Sequence, residues 1–471
     1  MTTRRAVLLL LAAGLSAPAA AQNVDYAVRG TVAFEQDGKQ DLGLAGGSAQ
    51  SNLIVNLAPR VLIEFGQAWT GYLRARLFLP TGRVIPLDTS APDSAGAANT
   101  FAGLSEFWLQ FNGLTTYPGE AFRIGRQHIR QTDNEWWDQD ADALRWIFDT
   151  TLLSADVGLA HQLSTYRTDS APIPPAQRDR TYLFGTLMAD WRPDNRLGVR
   201  VALASDRSTL PPIGATIAPD AKLQDARLTW VGLFADNGFS TINTDMKRFT
   251  YEGTATYLTG HQQLAVRSSS GIITDHLYQE IAAWQASAGL RRRPLPRLPL
   301  QFGGGYVYSQ GGGNGTHSRQ YQQNGMQSNA SYFTGTSMLI ERYSETLRAE
   351  LGNLRVTTGL VSLDFIDNAA SLIYQRFRRD SGEATIVTQN VVAAPVNDSK
   401  DIGSGLDFVY THYLQRAARR PGLLERGDGF TAQQRKSLVS LRASLFHPGT
   451  AYGPAARDDY RLYAEVTLWL D

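Results

Sequence analysis

The stretch Ala121–Asp169 reads AFRIGRQHIRQTDNEWWDQDADALRWIFDTTLLSADVGLAHQLSTYRTD, and its alternation decides the fold. In Leu144–Asp149, Leu144, Trp146 and Phe148 point one way while Arg145, Ile147 and Asp149 point the other. In Ser154–Gln162, Ala155, Val157 and Leu159 share one face, and Asp156, Gly158, Ala160 and Gln162 share the opposite one. A period of two marks β-strands. A soluble sandwich would turn the second face to water or fill it with apolar groups. A membrane barrel turns its apolar face to lipid and its charged face to the lumen, which suits arginine and aspartate at regular intervals.

Outward from this stretch the same rhythm recurs. Tyr26–Phe34 and Leu53–Phe65 alternate, with Pro59 marking a break or bulge in the second. Trp69–Leu79 sets Trp69, Gly71, Leu73, Ala75, Leu77 and Leu79 against Thr70, Tyr72, Arg74, Arg76 and Phe78. Leu197, Val199, Val201 and Leu203 oppose Gly198, Arg200, Ala202 and Ala204, and Phe249–Leu258 alternates too. Short turns at Phe65–Ala68, Thr150–Leu153, Pro193–Asn195 and Ile366–Ala369 alternate with long loops. The long loops include Pro80–Gly103, Arg167–Asp179, Asp206–Gln224, Gly311–Ser337, Asp380–Asp401 and His447–Asp459. Gln415–Lys436 is basic and falls at the end where turns are short. The last strand, Arg461–Trp469, runs almost to Asp471. The expectation is an all-β chain: one antiparallel transmembrane β-barrel of about 18 strands, an even number as in bacterial barrels.

Met1–Ala21 has the build of a secretory signal, with Arg4 and Arg5, an apolar run Ala6–Leu15 and the small residues Ala19–Ala21. The expected domains are thus a signal peptide, 1–21, and an outer-membrane barrel, 22–471. No apolar run is long enough to cross a bilayer as a helix. The formal net charge is +1, so no overall basicity points to nucleic acid, and any preference for a polyanion must come from the placement of charge. The absence of cysteine excludes a disulfide framework, a zinc–thiolate site and a thiol nucleophile. Forty-three glycines, nine Trp, 19 Tyr and 19 Phe suit many strands and turns.

Alternation assigns Arg74, Arg76, Arg145, Arg200, Arg355, Arg442 and Arg461 to the lumen, with Asp156, Glu252, Asp407 and Glu465 among them. Any one such arginine can be ladder filler that pairs across strands. Together they resemble the rings of Arg by which a pore selects anions. Asp138-Gln-Asp140-Ala-Asp142 suggests a calcium loop, but Ala143 stands where the glycine belongs and Asp149 where the glutamate does. A solvated loop face is the favoured reading of these acids, and no cofactor is expected, calcium at that loop being the one candidate. Trp136-Trp137 suits sugar stacking or aromatic packing alike. An enzyme would draw on Glu135, Asp138 and Asp140, or on His128, His161, Ser154 and Ser164, yet no G-x-S-x-G elbow is present and none is expected.

The chain resembles the alginate-export outer-membrane porins (AlgE type). The resemblance rests on GRQ at Gly125–Gln127, WWD at Trp136–Asp138, ALRWIFDTTLL at Ala143–Leu153, STYRTD at Ser164–Asp169 and LTG at Leu258–Gly260. It continues through QYQQNGMQSN at Gln320–Asn329, FTGT at Phe333–Thr336, ELGNLRV at Glu350–Val356, KDIGSGLDFV at Lys400–Val409 and LFHPGTAYGP at Leu445–Pro454. It implies a monomeric 18-stranded barrel in the cell outer membrane, exporting a polyuronate by diffusion through an electropositive constriction. Arg126, Arg145 and Asp156 would belong to that constriction, with Arg348, Arg355 and Arg442 from later strands. Pro80–Gly103 and Gln415–Lys436 would occlude the lumen. Strict alternation from Phe122 and Ile124 puts Arg126 toward lipid, so an inward Arg126 requires a bulge; Arg348 and Arg355 differ in parity and require an irregularity near Gly352-Asn353. Expected partners are the anionic polysaccharide, outer-membrane lipid and lipopolysaccharide, and periplasmic secretion proteins. The alternative function is an uptake porin for small anions or sugars.

Overall fold

A computed structural model describes residues 21–82, 99–117, 119–174, 177–207, 209–217, 222–242, 247–268, 270–295, 298–415 and 437–470. Apart from Ala21, the expected signal segment lies outside these, as do 83–98 and 416–436, on which the two expected occluding loops largely fall.

Eighteen long strands form the wall. They are β1 (Ala21–Asp37), β2 (Gln50–Phe65), β3 (Trp69–Pro80), β4 (Phe101–Phe111), β5 (Glu120–Arg130) and β6 (Asp138–Asp149). Next come β7 (Leu153–His161), β8 (Arg180–Arg192), β9 (Asn195–Asp206), β10 (Gln224–Asp236), β11 (Phe249–Arg267) and β12 (Ile273–Arg292). The circuit continues with β13 (Leu300–Ser309), β14 (Leu354–Asp364), β15 (Asn368–Arg379), β16 (Asp401–Gln415), β17 (Ser437–Pro448) and β18 (Asp459–Leu470). Each pairs antiparallel with the next, and β18 pairs back onto β1 from Leu470↔Val28 to Arg461↔Asp37. Closure removes the unpaired edges that lipid could not satisfy. The connections at one end are mostly short, such as 66–68, 150–152, 193–194 and 365–367.

The two faces of the wall follow the alternation. Leu187, Leu233 and Leu290 stand outward at 50–58% exposed, in the manner of a lipid belt. Inside, polar side chains share the lumen with a large apolar cluster that includes Trp137, Phe184, Trp230, Tyr343, Leu347 and Phe377. Its members come from the wall, from the tip between β5 and β6, and from the connection between β13 and β14, residues 310–353. That connection is buried almost throughout from Tyr321 to Asn353, so it lies inside the barrel rather than above it. The apolar core therefore sits where the lumen is filled.

Candidate functional site

Two pieces of chain fold into the lumen. The first is the end of the β5–β6 hairpin. β4 pairs with β5 only as far as Phe107↔Arg126, and β7 meets β6 only from His161↔Asp142. The β5–β6 ladder nevertheless runs on to Arg130↔Asp138. Residues 127–130 and 138–141 thus pair only with each other in the sheet, and the hairpin leaves the wall. Gly125 permits the departure: its φ is +120°, and a Cβ there would lie 2.4 Å from the Phe107 carbonyl oxygen. The wall beside β4 is taken up instead by 164–168. Leu104 N–H donates to Tyr166 O at 3.1 Å, Thr168 N–H donates to Ala102 O at 2.8 Å, and Gly103 bridges Arg167.

The departing hairpin carries a ladder of opposite charges. Register sets Arg126 against Asp142, His128 against Asp140 and Arg130 against Asp138. His128 lies between two carboxylates, Nδ1 at 2.7 Å from Asp140 and Nε2 at 2.9 Å from Asp138. With an acceptor on each nitrogen the ring carries both protons. Arg74 on β3 joins the group, 3.3 Å from Asp140 and 3.2 Å from Glu106. Arg126 is fully buried at the point of departure. It donates to the carbonyls of Ser105 and Ser164 at 3.2 Å each, lies 3.6 Å from Asp142 and stacks over Tyr166.

The tip, 131–137, reaches the second inward piece, 310–353. Asn134 donates to Ala330 O at 2.5 Å, Gln323 to Glu135 O at 3.0 Å, and Asp138 N–H to Met326 O at 2.7 Å. Tyr343 donates to Glu135 at 2.9 Å, while Arg342 lies between Glu135 and Glu252. Burial raises the Glu135 carboxyl above its ordinary range, with Arg342 pulling it back. Burial likewise pushes Glu341 up to about 8, against Arg348 at 3.6 Å. On the far side Arg442 donates to Glu345 at 2.8 Å, and Arg291 donates to Phe333 O at 2.7 Å. Below the tip a cavity of about 500 Å³ is lined by Arg130, Asp133, Asp156, Arg196, Arg200 and Glu252, among others.

The structure sorts the expected site residues. Arg74, Arg145, Arg200, Arg442 and Arg461 face inward from the wall and are buried. Arg145 donates to Asp156 through two of its nitrogens, Nε at 3.1 Å and Nη2, and to Gln127 through the third. Arg200 takes Asp133 at 2.6 Å and stacks over Trp136; Arg461 takes Glu35 at 3.0 Å. Arg348 is corrected: it lies on the inward connection, with φ +51°, rather than on a strand. Arg355 is corrected as well. Its neighbours Leu354 and Val356 are wholly buried, packed into the lumen's apolar cluster, so Arg355 faces outward at the rim beside Tyr308 and Asp380. Asp138–Asp142 is a strand and not a loop, and its carboxylates lie on His128, Arg74, Arg126 and Arg130. Among the described residues no three acids or histidines gather as a metal site.

Sequence reasoning passed over Arg29, Arg60, Arg123 and Arg342. Arg123 was detectable, since it alternates with Phe122 and Ile124. Arg60 was hidden by Pro59, because β2 pairs with β1 through Val28↔Pro59 without a break. Six of the inward arginines share one arc. Arg29, Arg60, Arg74, Arg76, Arg123 and Arg145 belong to β1, β2, β3, β5 and β6, and all are at least nine-tenths buried. Within the arc Arg60 stands directly opposite Arg74, and Arg123 directly opposite Arg145. The facing strands β11 to β16 place Thr250, Thr256, Gln285, Ser287, Ser362, Ser371, Gln375 and Thr411 inward, with Glu252, Arg291, Arg379 and Asp407 among them.

Closed wall, lipid-facing belt and a lumen whose wall carries charged and polar groups together define an outer-membrane porin barrel. Known proteins narrow the class. The alginate-export family profile matches residues 21–464. The alginate production protein AlgE of Pseudomonas aeruginosa is 33% identical over 470 residues, spanning 96% of this chain and 94% of that protein. AlgE of Pseudomonas syringae pv. tomato is 32% identical over 482 residues, spanning 95% and 94%. Among solved structures, OccK2 (OpdF) of Pseudomonas aeruginosa matches with a TM-score of 0.54 at 10% identity, over 96% of this chain and 98% of that one, a likeness of fold. The chain belongs to the alginate-export family.

Proposed function

We propose that the barrel passes an anionic polysaccharide, alginate or a similar polyuronate, outward by diffusion along the arginine arc of β1 to β6, with no bond made or broken. One observation carries the reading: two arginine pairs stand face to face across neighbouring strands, Arg60↔Arg74 and Arg123↔Arg145. Like charges in direct opposition cost stability, and internal carboxylates and aromatic rings offset that cost at Arg74, Arg145, Arg60 and Arg123. A polymer with one carboxylate per sugar suits such pairs, because each guanidinium can grip a carboxylate through two hydrogen bonds.

The protein's own carboxylates hold the places of the cargo's. Asp140 lies on Arg74 and Asp156 on Arg145. An arriving uronate exchanges with an internal acid rather than entering an empty charge, and the same acid displaces it afterwards. Closely spaced sites of modest strength are what conduction requires. The test is ion selectivity in planar bilayers. Arg123→Gln and Arg145→Gln lower the anion preference, and polyuronate added to one side blocks the wild-type current more than theirs. Arg292→Gln, on the outer wall, serves as the control. Unchanged selectivity in both inward variants sinks the proposal.

A further inference from the structure

The outside of the barrel has an arginine cluster of its own. Antiparallel register sets Tyr308, Arg355, Arg378 and Asp401 side by side across β13 to β16. Tyr306, Thr357, Arg376 and Ser404 form the adjoining row. The side chains between them in sequence, Leu354, Val356 and Phe377, are wholly buried, which turns these rows outward. Arg355 and Arg376 keep 43% of their side chains exposed while pairing with Asp380 and Asp401. Arg378 is exposed and has no side-chain partner among the described residues. It stands directly opposite Arg355, an arrangement that favours a shared anion.

A cavity of about 1030 Å³ opens beside these rows, lined by His261, Tyr278, Asn314, His317, Arg319 and Asp380, among others. Arg319 is exposed, and its guanidinium likewise has no partner among the described residues. Asp380 joins row and cavity, accepting from Arg355 Nε at 3.1 Å, the Tyr308 hydroxyl at 3.1 Å and the Gly311 N–H at 3.0 Å. Depth fixes the setting. Further along the outer face from Arg355 and Arg378 come Tyr306 and Tyr374, then Leu372 and Val361, all exposed. Aromatics mark the membrane interface and aliphatics the hydrocarbon. Arg355 and Arg378 lie one row beyond Tyr306 and two beyond Tyr374, at the level of lipid headgroups, at the end of the barrel that bears the long loops.

We propose that this rim binds one phosphorylated glycolipid of the outer leaflet, its phosphate on Arg355 and Arg378 and its sugar in the adjoining cavity near Arg319. Guanidinium groups suit phosphate through paired hydrogen bonds, and the cavity's Asn, His and Asp suit sugar hydroxyls. The site requires a membrane barrel and is independent of what the lumen carries.

The test uses the full-length barrel in detergent, with lipid A carrying both phosphates as the probe and native mass spectrometry as the readout. Wild type retains one lipid per barrel. Arg355→Gln/Arg378→Gln lowers the affinity about tenfold, as loss of charge-assisted contacts should. Arg378→Gln alone lowers it severalfold while the Arg355–Asp380 pair stays intact, so a folding defect is separated from a binding one. Arg319→Gln weakens binding, and Arg292→Gln on the opposite rim does not. Lipid A stripped of phosphate binds wild type no better than it binds the double variant. Equal retention by wild type and the double variant overturns the proposal. So does inorganic phosphate, or an oligouronate, displacing the lipid at matched concentration.

Discussion

Arg60 on β2 stands directly opposite Arg74 on β3, and its guanidinium lies 4.4 Å from the centre of the Trp469 ring. The two arginines differ in what holds them. Arg74 has Glu106 and Asp140 beside it, both buried. Arg60→Gln relieves a like-charge opposition of about 0.2–1 kcal/mol and loses a cation–π contact of about 0.5–1 kcal/mol. Its anion preference in bilayer recordings should fall. Arg74→Gln strands two buried carboxylates and costs about 3 kcal/mol or more.

His128 binds the departing hairpin to itself through Asp138 and Asp140. His128→Ala leaves both acids buried beside one another, a loss of about 3 kcal/mol. That loss falls on the tip rather than on the whole wall. Single-channel recordings should show larger and noisier conductance than wild type, with the barrel's heat-modifiable gel mobility preserved. Asp140→Asn should have a smaller effect of the same sign.

Gly125→Ala should impair assembly. A side chain there meets strained backbone and the Phe107 carbonyl together. Strain of this type costs on the order of 1–3 kcal/mol. Refolding yield into detergent measures it, and Gly185→Ala, with no atom nearer than 3.7 Å to the new methyl, is the comparison.

Asp41 gives a pH dependence of defined sign. Its carboxylate accepts the backbone N–H groups of Gly47, Gly43 and Ala45 at 2.6, 2.8 and 3.0 Å. Those bonds, that from Gly47 first, hold its pKa below the ordinary carboxylate value. A lowered folded-state pKa contributes stability that is present above the unfolded value and lost as pH falls through the folded one. Hydrogen exchange at Gly43, Ala45 and Gly47 should therefore quicken on acidification, relative to the wall, and Asp41→Asn should remove the difference.

Much of this was legible from alternation alone. Arg74, Arg145, Arg200, Arg442 and Arg461 were assigned inward by counting in twos, and the structure places them there. Arg355 escaped the rule because 310–353 fills the lumen with apolar groups, so Leu354 and Val356 face in and the charge faces out. That reversal depends on residues distant in sequence. The departure of the hairpin left a trace of which only the parity of Arg126 was read. Asp138, Asp140 and Asp142 share parity with the exposed Leu144, as Arg126, His128 and Arg130 do with Ile124. Charges at such cost on the lipid face signal that the strand is no longer in the wall.

Segment 164–168 keeps the seam closed where β5 leaves it. It occupies the hydrogen-bonding places on β4 that the end of β5 would otherwise take. The end of a strand is thus spent on filling the lumen while the backbone groups of β4 stay paired. Filling and wall are here different stretches of chain, so a substitution in the tip alters what the passage contains and leaves its outline in the bilayer unchanged.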